Sequence, residues 1–309
     1  AATSAEKKRA ASAHAKHCSF KLGTDGLGGD SSSSSYDSSS DGDDVAGGPP
    51  GGARVASELA HYRAGYPGDP EALLNDPSAT QNLEFFRGEG PQLPDGFAID
   101  MFHPGGKFWG NYEALEKMHS YIQWLFPIME FSRFNKHAQV LQRHEAATMR
   151  ADAACRRAFI LSYRCFLDFV GLILEDEVTG ALSTHVDETQ WRERFANLNT
   201  HGHNNLRLCR ILKCMGEIGF EAYKAPLIDV LVAAAFDEPC TLKNLRGSIE
   251  AYYVGTLRDD AARAAREERV AIATAYAADP VFTIAAPDEG AAALSNSPND
   301  VGVAVDVFW

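Results

Sequence analysis

Between Asp152 and Leu174 the chain carries Cys155, Phe159, Tyr163, Phe166, Leu167, Val170 and Leu174 at steps of three and four residues. Apolar residues at that period line one side of an α-helix, and here they cover most of its circumference. A helix apolar nearly all round must be wrapped by other elements. The segment therefore predicts the central helix of a helical core, ended by Glu175-Asp176-Glu177 and Thr179-Gly180. Asp168 interrupts this stretch and Asp229 the one from Ala225 to Phe236. A spanning helix needs roughly 20 apolar residues, so neither is a transmembrane segment, and membrane association would be peripheral at most.

The neighbouring segments have the same period. Asn111 is placed to cap a helix in which Tyr112, Leu115, His119, Ile122 and Phe126 recur until Pro127 ends it. A second helix is expected from about Lys136 to Arg150, and a short one from about Glu188 to Leu198, capped by Asp187 or Thr189. After the polar segment Asn199 to Asn205, a long helix runs to about Ile218. Its stripe is Leu208, Ile211, Leu212, Met215 and Ile218, and Gly219 follows where a left-handed cap is required. Two more helices follow, about Pro226 to Phe236 and about Thr241 to Ala278, the second broken near Gly255. No strand pair with turn chemistry stands out. The fold class is all-α, a single multi-helix globular domain with a disordered N-terminal tail.

Composition sets the boundaries. Residues 1–80 contain DSSSSSYDSSSDGDD and AGGPPGGA, too poor in apolar side chains to offset the entropy of ordering. They are expected to be a disordered tail, 81–278 the helical domain, and 279–309 a loose C-terminal tail. From Asp30 to Asp76 nine acids face Arg54 and Arg63, so about half of the formal net charge of -13 lies on the linker. The serines beside Asp37, Asp41, Asp43 and Asp44 suit an acid-directed kinase. A pI of about 5.2 disfavours nucleic acid and anionic lipid as bulk partners, though a local basic patch is compatible with phosphate. The six cysteines are scattered with no CxxC pair, which reads as free thiols in a reducing, intracellular setting without a structural zinc.

Two polar constellations are candidates for function. His201, His203, Asn204, Asn205, Arg207 and Arg210 open the long helix, with His203, Arg207 and Arg210 on one face. Helix N-terminal amides and two arginines can hold a carboxylate or phosphate. Alternatively, His203 and Asn204 cap the helix while the arginines pair with acids such as Glu116 or Glu145. A metal would use His201, His203 and His119. The other constellation is Tyr112, Glu116, His119, Gln123 and Trp124, where Glu116 can accept an amine and the aromatics can stack on a ligand; core packing is the competing explanation for Tyr112, His119 and Trp124. A Glu116–His119 dyad comes without a nucleophile motif, and LGTDGLGGD lacks the strand and helix of a nucleotide-binding loop. No catalytic residue, metal ligand or cofactor is assigned.

Two strings are more specific than any periodicity: NYEALEKMHSYIQWLFP at 111–127 and HNNLRLCRILKCMGEIGFEAY at 203–223. With Phe85-Phe86, Pro94-Asp95-Gly96, Thr179-Gly180 and Asn197-Leu198-Asn199, they resemble the conserved domain of the opioid growth factor receptor family over about residues 81–235. The departures at Leu208, Cys209, Cys214 and Met215 exchange core residues for core residues. No bipartite basic run accompanies the motifs. The resemblance implies a non-catalytic, receptor-type protein that binds a small enkephalin-like peptide and is linked to growth regulation. It also implies a nuclear or perinuclear location with membrane association. Two other classes stand beside it, a phosphate or nucleic-acid-binding helical module and a His-dependent hydrolase. A solvent-facing strip at Arg207, Arg210 and Lys213 would favour the former, and converging His119, His201 and His203 the latter.

Overall fold

The structure is a computed structural model that describes residues 51–69, 71–237 and 241–278. Helices dominate, as the periodicity requires. In chain order they are α1 (Gly51–Arg63), α2 (Glu71–Leu74), α3 (Gln81–Phe86), α4 (Tyr112–Lys117), α5 (Ile122–Leu125), α6 (Arg143–Ala151) and α7 (Ala153–Phe169). A hairpin of β1 (Leu172–Leu174) and β2 (Leu182–Thr184) leads to α8 (Glu188–Thr200), α9 (His203–Glu217) and α10 (Lys224–Phe236). Then α11 (Arg246–Ser248) runs through a π-turn and a 3₁₀ turn to α12 (Asp260–Ala278).

Local chemistry sets most boundaries. Asn111 Oδ1 accepts from Ala114 N at 3.2 Å, and Asp187 Oδ1 accepts from Thr189 N and Gln190 N, so both expected caps form. Asp152 does the same for α7. Gly219 takes φ +84, and the Phe220 N–H returns to Met215 O at 2.7 Å, closing α9 in a Schellman turn.

Four expectations change. The central helix stops at Phe169, and residues 172–174 leave it as a strand antiparallel to 182–184, with Leu174 opposite Leu182. The acidic run that was to end the helix forms the hairpin loop instead, where Asp176 Oδ1 accepts from Val178 N and Thr179 N. The helix expected from Lys136 begins only at Arg143, where Gln142 and Glu145 form a capping box. The helix expected over 111–126 is two short ones, for a reason given below. Finally, the folded unit extends into the expected tail: α1 is ordered, and Tyr62, Tyr66 and Leu74 are buried in the main core. Apolar density is low in the sequence before Gly51, but Leu59 and Tyr62 of α1, with Tyr66 just after it, are buried. Residues 1–50 and 279–309 lie outside the described residues.

The core surrounds α7 and α9, and α9 is the more enclosed. Leu208, Ile211, Leu212 and Met215 are all fully buried, as their stripe requires. So are Asn204 at the head of the stripe and, away from it, Arg207, Lys213 and Glu217, or very nearly so. Arg207 and Lys213 are thus covered and their charges must find partners inside, while His203 and Arg210 are half-buried.

Candidate functional site

Arg207 finds them on the backbone. Its Nη1 donates to Leu115 O (3.1 Å) and Asn204 Oδ1 (3.0 Å), and its Nη2 to Glu116 O (3.3 Å) and Met118 O (2.8 Å). Those three carbonyls would bond the next turn if 111–126 were one helix. Met118 instead turns extended, with φ −81 and ψ 126, and the guanidinium replaces the missing turn. Arg210 does likewise for α5, donating from Nε to Phe126 O at 2.8 Å; burial lowers its pKa to about 10. The expected pairing of these arginines with Glu116 or Glu145 side chains is therefore replaced by pairing with carbonyls. Glu145 is fully buried and receives N–H donors from Asn82, Leu83, Gln139 and Gln142 instead.

Lys213 and Lys224 hold the α1 side. Lys213 Nζ lies 2.7 and 2.9 Å from the two Glu130 oxygens, and the Tyr66 hydroxyl donates to Glu130 Oε1 at 3.0 Å. Burial acts to raise the Glu130 pKa, but the charge and hydrogen bond of Lys213, with the Tyr66 hydrogen bond and the Arg210 charge, together leave the carboxyl below its ordinary value. Lys224 Nζ meets the Tyr62 hydroxyl, Thr256 O and Glu221 Oε2, all within 2.8 Å. Burial pushes its pKa down to about 8. Arg207 and Lys213 thus do not form a solvent-facing basic strip, and the feature that would have favoured a phosphate or nucleic-acid surface is absent there.

Around Glu116 the expected residues do meet. α4 presents its carboxylate to α8 and α9: Asn197 Nδ2 donates to Oε2 at 2.7 Å and Asn204 Nδ2 to the same oxygen at 3.2 Å. His203 Nε2 lies 2.5 Å from Oε1, a close polar contact short of an aligned hydrogen bond. The His119 ring stands edge-on to His203 with centroids 5.1 Å apart, and His201 is 5.8 Å from His203. Burial would raise the Glu116 pKa, yet the two amides and the nearby imidazoles bring it below the ordinary value. Burial, reinforced by the Arg207 charge, lowers both His119 and His203, which favours neutral rings. The result is a half-buried carboxylate held by neutral donors at the edge of the fold. The three imidazoles do not converge on a point: among the described residues no three His, Cys, Asp or Glu side chains are arranged to hold a metal ion.

The other expected site residues lie elsewhere. Trp124 is buried against Phe85, with Nε1 donating to Leu93 O at 2.9 Å, and Gln123 is buried beside it in sequence. Both belong to the core, so no groove joins Trp124 to Glu116. Tyr112 points away to α7 and α8, where its hydroxyl donates to Asp168 Oδ1 at 3.1 Å and accepts from Gln190 Nε2 at 2.5 Å. Arg194 covers its ring at 4.6 Å. Sequence reasoning missed Asn197 and Asp168. The signal for Asp168 was present, an acid inside an otherwise apolar helix, but it was read only as a break in hydropathy.

The opioid growth factor receptor conserved region matches residues 75–289 of this chain. The chain belongs to that family. Opioid growth factor receptor-like protein 1 of Rattus norvegicus is 38% identical over 206 residues, covering 66% of this chain and 42% of the relative. The opioid growth factor receptor of Mus musculus is 39% identical over 175 residues, covering 57% of this chain and 26% of the relative. That of Homo sapiens is 38% identical over 176 residues, 57% of this chain and 25% of the relative. The chain thus spans less than half the length of the curated relatives it matches. No solved structure matches it. No helix among the described residues is long and apolar enough to cross a membrane. The family match begins after α1, although Tyr62 and Tyr66 are built into the same core.

Proposed function

We propose that this chain is a non-catalytic, receptor-type domain that binds a small enkephalin-like peptide and acts in growth regulation, in the nucleus or around it, with at most peripheral membrane contact. Family membership carries this reading. The site we assign to the peptide is the Glu116 edge. An ionised carboxylate backed by Asn197 and Asn204, with no arginine or lysine within 4 Å among the described residues, suits the protonated amine that begins a peptide. His119 and His203 supply flat neutral surface beside it. Asn204 and Arg207 act as positioning residues, since they hold Glu116 and the backbone around it. A hydrolase reading has less support: the Ser162 hydroxyl beside His103 is buried and donates to Ala158 O.

Calorimetric titration with an enkephalin-like peptide tests the proposal. Glu116→Gln keeps the shape and removes the charge, and should weaken binding by roughly ten- to a hundredfold, the range for one charge-assisted hydrogen bond. N-acetylation of the peptide should weaken it by a similar factor. Equal affinity in all three titrations would exclude Glu116 as the amine site.

A further inference from the structure

One helical turn before Glu116, Tyr112 reaches the wall of a separate cavity of about 180 Å³. The cavity lies between α7 and the hairpin. Trp109 and β1 supply aromatic and aliphatic walls, and Arg164, Asp168 and His185 the polar ones. Gly171 makes this arrangement possible. Its φ is +84, and a Cβ there would stand 3.1 Å from Trp191 O and 3.0 Å from the Arg194 Cβ, so α8 packs directly on the turn that starts β1.

The polar groups of the wall are not equivalent. Arg164 is turned to Glu177 at 3.0 Å, an acid it shares with Arg157 at 3.7 Å. His185 Nδ1 accepts the Asp187 N–H at 3.1 Å, which places the proton of the neutral ring on Nε2. Asp168 has the Tyr112 hydroxyl on Oδ1 and, among the described residues, no cationic nitrogen within 4 Å. Burial holds its pKa above the ordinary value, although the Tyr112 hydrogen bond, His185 nearby and the Arg194 charge oppose that shift. A carboxylate beside an indole and aliphatic walls, with no cation of its own, has the composition of an organic-ammonium site.

We infer that the Asp168 cavity binds a small primary ammonium group, with the charge on Asp168 and the carbon chain against Trp109 and Ile173. The inference does not rest on the receptor reading, because it concerns a different carboxylate and is tested with an amine that is not a peptide. The ammonium could come from a free amine or from the first residue of a chain.

The probe is n-butylammonium, followed through the Trp109 indole N–H resonance, which is assigned by its loss in Trp109→Phe. The full chain should show saturable shifts, and butan-1-ol, equal in shape but uncharged, should not. Asp168→Asn keeps an acceptor for the Tyr112 hydroxyl and should raise the dissociation constant by roughly ten- to a hundredfold. Displacement of the probe by an unblocked tripeptide, but not by its N-acetylated form, would identify a chain terminus as the source. Failure of both to displace it would identify a free amine. Butan-1-ol binding as well as butylammonium, an undiminished affinity in Asp168→Asn, or no Trp109 shift in the full chain would each overturn the inference.

Discussion

The α9 face and the Asp168 cavity are both polar regions inside a helical core, and they solve opposite problems. Along α9 and at the start of α10 the charges are enclosed and matched: Arg207 meets three carbonyls and an amide oxygen, Lys213 a carboxylate, Lys224 a carbonyl, a hydroxyl and a carboxylate. At the cavity a carboxylate meets one hydroxyl and open space. A matched buried charge holds backbone in place, and removing it strands its partners. An unmatched charge facing a cavity costs stability and gains its return only when something binds. The basic residues singled out in the sequence thus hold the fold, while the acid noted there only as a break in hydropathy borders a cavity.

If that contrast is right, Arg207→Ala should be the most damaging change. It leaves Leu115 O, Glu116 O and Met118 O without their charged donor in a residue only 4% exposed. At about 1–3 kcal/mol per stranded group, not fully additive, a loss of about 3–5 kcal/mol is expected in urea unfolding. Arg207→Lys should rescue little, because a point charge cannot span three carbonyls. A loss below about 1 kcal/mol would show that the α4–α5 break does not depend on the guanidinium.

Lys224 gives an intermediate effect with a definite sign. Its folded pKa of about 8 lies below the ordinary 10.5, so above pH 8 the folded state releases its proton before the unfolded state does. The unfolded chain then binds more protons, and stability should rise between about pH 8 and 10.5. The gain is on the order of 1–3 kcal/mol, because a tenfold difference in proton affinity between the two states is worth about 1.4 kcal/mol. Lys224→Met should remove this rise, seen as the difference between the two proteins' urea midpoints across that range. The same rise in both proteins would mean another group is responsible. Tyr62→Phe, which takes a hydroxyl from Lys224 Nζ, should lower stability by about 1–2 kcal/mol and so report on whether α1 is built into the fold.

Asp168→Asn should be the mildest and of opposite sign. A carboxyl whose folded pKa is raised loses stability as pH rises through its unfolded and then its folded value. At neutral pH the neutral amide should therefore match the wild type or exceed it by a fraction of a kcal/mol, within about 1 kcal/mol given its partial exposure. A clear fall in melting temperature would place Asp168 with the structural charges and erase the contrast.

Much of the molecule was legible before any coordinates. Periodicity located α7, α9 and α10, the caps at Asn111 and Asp187 were visible as residue types, and Gly219 marked the end of α9. Within the two motif strings, YIQWLFP and HNNLR carried the family resemblance. These features are local: a cap, a stripe and a glycine turn act within a few residues of chain, so their chemistry is written where they occur. What the residues of those strings do was not local. Arg207 lies about 90 residues from the carbonyls it holds, and nothing around 111–126 announces that its helix breaks to meet them. The Leu172–Leu174 strand reads as a helical continuation until Leu182 comes beside it. Tyr62 and Tyr66 look like residues of a tail until Lys224 and Glu130 need their hydroxyls. Whether a charge is met or left open depends on groups distant in the chain, and only the tertiary structure, by bringing them within 3 Å or failing to, decided which polar residues of this protein build it and which are left to bind.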